Sequence, residues 1–139
     1  MRKIAYLVLF LVMLPILIGG AISCKSSTSP SSSLDESIVR AYADPATETT
    51  LQGLSENNLA KYIQHGNAQF KAAVTQQILD TTATQISGEL GTYQSKEFLR
   101  TEEQEGYIIV HYKAKFTKGD VGIRMVFDKD HLVAGQWFE

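Results

Sequence analysis

The chain has 139 residues, a formal charge of −2 from 13 Lys and Arg against 15 Asp and Glu, and a single cysteine. That length admits about one small domain with a modest core. The mild acidity excludes nucleic acid as a partner, because phosphate binding needs clustered cations. One cysteine excludes an internal disulfide, so the fold rests on packing.

Met1-Arg2-Lys3 opens the chain with positive charge, and Ile4 to Ile18 is an apolar run broken only by Pro15. Gly19-Gly20 and the small residues of Ala21-Ile22-Ser23-Cys24 follow. This segment resembles a bacterial lipoprotein signal with its lipobox, although Ala21 stands where that pattern prefers leucine. The resemblance implies a signal peptide over residues 1–23, lipidation of Cys24, and attachment to the cell membrane on its extracytoplasmic face. An uncleaved anchor is the competing reading, since residues 4–22 approach the ~20 residues that span a bilayer. Pro15 and the glycine pair weaken a continuous helix there. Either way the domain lies outside the cytoplasm, because the positive residues precede the apolar segment. Cleavage before Cys24 removes Arg2 and Lys3 and takes the formal charge from −2 to −4.

Lys25 to Ser33 has no apolar residue to bury and reads as a flexible tether. Ser33 and Glu36 have capping-box spacing, so residues 34–43 fit either a short helix or frayed linker. Asp44-Pro45 predicts a helix start, with an N-cap acceptor followed by proline at the first helical position. That helix should reach Leu54 and turn Leu51 and Leu54 inward. A second short helix is predicted over Leu59–Gln64, ending at Gly66, and a further turn over 67–73 carries Phe70 inward. Thr75 caps what reads as the longest helix, with Val74, Ile78, Thr82, Ile86 and Leu90 recurring every four residues before Gly91.

Beyond Gly91 the period changes to two. Residues 92–101 read as a strand, and Glu102 to Gly106 as a polar turn. Over Tyr107–Thr117, Ile108, Val110, Tyr112, Ala114 and Phe116 share one face, while Tyr107, Ile109, His111, Lys113 and Lys115 share the other. Val121, Ile123, Met125 and Phe127 alternate in the next strand, and Leu132 to Phe138 forms the last. Helices followed by antiparallel strands joined by short turns predict an α+β fold with helices on one sheet face.

The stretch Leu51 to Tyr62, the runs Phe70–Thr75 and Leu90–Tyr93, the hairpin segments Tyr112–Phe116 and Lys118–Val121, and the closing runs Val126–Asp128 and Val133–Phe138 together resemble the DUF3887 family. That family has an NTF2-like, or cystatin-like, α+β fold. The resemblance spans about residues 44–139. It implies N-terminal helices packed on a curved antiparallel sheet of three or four strands, with residues 24–43 as the lipidated cysteine and tether. Members often sit on exported lipoproteins or beside hydrolase domains. No catalytic motif comes with the resemblance, so it carries fold only.

No residue pattern demands catalysis, a metal or a cofactor. His65, His111 and His131 lack metal-ligand spacing. Asp128 and Asp130 lack the further ligands of a calcium loop. Glu102, Glu103 and Glu105 read as a solvated hairpin tip. Gly119 to Gly122 reads as a turn and not a phosphate loop. The aromatic residues Tyr62, Phe70, Tyr93, Tyr112, Phe116, Phe127 and Trp137 are expected to form either a ligand pocket or a filled core, with Phe127 and Trp137 placed in the core. The leading expectation is a membrane-anchored, non-catalytic domain binding a partner protein or small ligand. A cyclase- or isomerase-type enzyme using the NTF2-like cavity is the first alternative. The second is a homodimer paired through the strand face bearing Ile109, Arg124 and Val126.

Overall fold

The computed structural model describes residues 34–139. The expected signal peptide, the expected lipidation of Cys24 and the Ser-rich stretch read as a tether, up to residue 33, lie outside the described residues. Four helices precede four strands: α1 (Glu36–Ser55), α2 (Leu59–Tyr62), α3 (Ala68–Ala73), α4 (Gln76–Glu89), β1 (Tyr93–Gln104), β2 (Tyr107–Phe116), β3 (Gly119–Phe127) and β4 (Val133–Phe138). The strands form one curved antiparallel sheet in the order β1-β2-β3-β4, so each strand pairs with its neighbour in sequence. Among the described residues no helix is long and apolar enough to cross a membrane.

The helix expected to begin at Asp44-Pro45 begins a full two turns earlier. Asp35 caps it by accepting the backbone N–H of Ser37, and Pro45 lies inside it. Residues 36–43 are therefore helix and not tether. The reason is burial: Val39, Ala43 and Ala46 are packed against the core, in one stripe with Thr47, Thr50, Leu51 and Leu54. An interior proline costs about 3 kcal/mol, and burial of this stripe outweighs it. Gly53 lets α2 cross closely, since a Cβ there would stand 2.7 Å from the Tyr62 Cα.

α4 follows Thr75 as expected, but its buried face is Leu79, Ala83, Ile86 and Leu90, while Ile78 is 51% exposed. A strict four-residue repeat drifts about 40° around the helix at each step. The mixed spacing of 79, 83, 86 and 90 stays on one face. α1, with 20 residues, is the longest helix.

β1 runs to Gln104, past the expected end at Thr101, and Glu105-Gly106 makes a tight turn with φ of 53° and 81° at its two central residues. That pair of positive values is the two-residue hairpin geometry favouring glycine. Three irregularities break the ladders, at Gln94 and Leu99 on β1 and opposite Val126 and Phe127 on β4. The one on β4 matters most. Val133 faces inward opposite Phe127, but Gly135 pairs with Val126 and Trp137 with Arg124, so Ala134 is the extra residue. Strict alternation from Val133 would turn Trp137 inward. The bulge sends it to the outer face, where it is 46% exposed, which corrects its expected core placement. The inner face is closed by Val110, Tyr112, Ala114, Phe116, Ile123, Met125 and Phe127 against α1 and α4.

Candidate functional site

The inner side of the sheet uses its polar atoms to join helix to strand. α1 carries Arg40, Asp44, Glu48 and Gln52 four residues apart, which is one edge of a helix. Asp44 Oδ1 accepts the Tyr112 hydroxyl at 2.9 Å, and its Oδ2 accepts Arg40 Nε at 3.1 Å. Glu48 Oε2 accepts the Tyr93 hydroxyl at 2.7 Å, with Lys96 Nζ 3.9 Å away. Lys96 lies 5.0 Å over the Tyr112 ring and Arg40 4.7 Å over Phe98. Burial, then the hydrogen bond to the carboxylate, pushes both phenols well above the ordinary tyrosine range. These groups hold α1 on the sheet, with each phenolic proton committed to a carboxylate.

The other aromatic candidates are placed by packing. Tyr62 stacks on Phe70 at 5.9 Å, and burial raises its hydroxyl to about 12. Tyr93 meets Phe116 edge-on at 5.7 Å, Phe98 meets Tyr112 at 5.9 Å, and Tyr42 meets Phe127 at 5.3 Å. Trp137 alone among the seven candidates belongs to the opposite face.

That outer face holds the second polar cluster, which runs across all four strands. Register places Arg100, His111, Arg124 and Trp137 in one lateral row, with Glu102, Ile109, Val126 and Gly135 in the next. His111, expected at the surface, has a side chain only 7% exposed. Its Nε2 lies 2.8 Å from Glu102 Oε1 and its Nδ1 3.2 Å from Glu139 Oε2. Arg100 Nη1 donates to the other Glu102 oxygen at 2.9 Å. The His111 hydrogen bond, helped by Arg100, holds the Glu102 carboxyl below its ordinary range. Arg124 stacks 4.8 Å over Trp137 and its Nε stands 3.7 Å from Glu139 Oε1, buried and without a hydrogen bond. The Trp137 ring folds back over Gly135, where any Cβ would collide with it. Ile109 is buried in this layer, and Tyr107 is half-exposed beside it.

Sequence pattern missed this cluster for a definite reason. Its members run from Arg100 to Glu139 along the chain, and only strand register joins them. The alternation of β2 does put Ile109, His111 and Lys113 on one face. The other histidines stand elsewhere: the His65 carbonyl accepts the Val133 N–H, and His131 stacks on Tyr42 at 4.1 Å. Among the described residues no three His, Cys, Asp or Glu side chains are arranged so that they could hold a metal ion.

The model of the family described as "Protein of unknown function (DUF3887)" matches residues 47–135. The NMR structure of a protein from Ruminococcus gnavus ATCC 29149 is 14% identical with a TM-score of 0.52, covering 74% of this chain and 90% of that one. That likeness is one of fold alone. A crystal structure of an NTF-2 like protein of unknown function from Burkholderia xenovorans LB400 matches at 11% identity and a TM-score of 0.40, over 73% of this chain and 86% of that one. No curated protein matches the chain.

Proposed function

The chain belongs to the DUF3887 family, and from that premise we propose that it is a lipid-anchored extracytoplasmic domain that binds a protein partner through the outer face of its sheet. The observation that carries the binding side is Trp137, half-exposed and stacked on Arg124, on the sheet face that also exposes Tyr107. Tryptophan, tyrosine and arginine are the side chains that dominate binding energy at protein interfaces. The inner face offers less to a ligand, since Tyr112, Phe127, Ile123 and Met125 are fully enclosed by protein. The anchoring side rests on Cys24, an unpaired cysteine after small residues and an apolar run.

Chemical crosslinking on intact membranes, followed by purification of the full chain, tests the binding side. A crosslinked protein lost in Trp137→Ala and retained in Leu132→Ala is the expected result, because Leu132 is exposed in the turn before β4. Equal capture by both variants would remove the outer face from the account and leave the anchor untouched.

A further inference from the structure

Glu139 stands between two donors. Its Oε2 faces His111 Nδ1 at 3.2 Å, and its Oε1 lies 3.7 Å from Arg124 Nε, a buried donor that lacks a hydrogen bond. His111 in turn stands between two carboxylates, with the Glu102 contact the shorter at 2.8 Å. A neutral imidazole has one N–H and can donate to only one of them, whereas the imidazolium donates to both. An orphaned buried donor costs free energy until it is paired. Glu139 thus lies between a ring whose second N–H comes and goes with its charge and a buried donor still short of a hydrogen bond.

We infer that His111 is a proton-operated clasp. As imidazolium it holds Glu102 of β1 and Glu139 beyond β4 together across the outer face. As neutral imidazole it keeps the shorter contact and releases Glu139 to Arg124 Nε. The released proton goes to solvent and no bond other than N–H is broken. The charged groups around His111 on this face are Arg100 and Glu102 from β1, Lys113 on its own strand and paired with Asp120, Arg124 from β3, and Glu139 following β4. Because Arg124 also stacks on Trp137, the move of Glu139 changes the surroundings of that ring. The clasp stands independently of whether the outer face docks a partner.

Trp137 is the only tryptophan, so its fluorescence in the detergent-solubilised full chain reports on the clasp without labelling. As pH is varied over the range in which the fold persists, the emission maximum and iodide quenching should shift reversibly as a one-proton transition. His111→Gln should abolish the shift, and His65→Gln should leave it intact. Glu139→Gln supplies a variant that preserves the contact. An amide can offer its oxygen to an N–H or its NH2 to a lone pair, so it follows both forms of His111, and the pH response should vanish with the fold retained. A flat wild-type profile, or a shift that survives in both His111→Gln and Glu139→Gln, would overturn the inference.

Discussion

Phe127 and Trp137 are large rings on adjacent strands that the fold uses in opposite ways. Phe127 is fully buried under Tyr42, so Phe127→Ala should cost about 3–5 kcal/mol. Trp137→Ala removes a half-exposed ring and a surface stack, and should cost within ~1 kcal/mol. Urea unfolding of the two variants checks the contrast, and equal losses would put Trp137 back in the core. Glu102 gives a prediction in acid. Its folded carboxyl titrates below the ordinary value of 4.5, chiefly through the His111 hydrogen bond. Its stabilising contribution is therefore complete above the unfolded value and is lost as pH falls through the lowered folded one. Wild type should exceed Glu102→Gln in stability near neutrality, and the gap should close as the carboxyl protonates. A gap unchanged down to the acid limit would contradict the bond.

At the scale of elements, what could be read from the sequence depended on whether a local rule met tertiary competition. The cap at Thr75, the inward run of β2 and β3, and the turn at Gly106 are local and were legible. Asp44-Pro45 was misleading because its N-cap signature is genuine while packing of Val39 and Ala43 carries the helix through it. The bulge at Ala134, which decides the facing of Trp137, leaves no mark in a six-residue strand. Two substitutions test these arguments. Pro45→Ala restores an interior N–H and should stabilise α1 by roughly 1–3 kcal/mol, less whatever the proline withheld from the unfolded chain. Gly53→Ala should destabilise by about 1–3 kcal/mol, because the new methyl meets the backbone of α2 rather than a side chain that can turn away. Thermal melts of the pair should move in opposite directions, and melts moving together would show that the α1 packing is misassigned.

For the whole molecule, the fold class was legible because helices and strands segregate along the chain and neighbouring strands pair in order. The outer-face cluster was not, since Arg100, Glu102, His111, Arg124 and Glu139 come together only once register is set. The helix start at Glu36 leaves residues 25–35 between Cys24 and the domain. The most direct measurement of this account is intact-mass and N-terminal peptide analysis of the protein isolated from its own membranes. The account predicts a chain beginning at Cys24 with a diacylglycerol on its sulfur, and an unprocessed precursor for Cys24→Ser. A chain that still begins at Met1, or one cleaved without lipid, would contradict it.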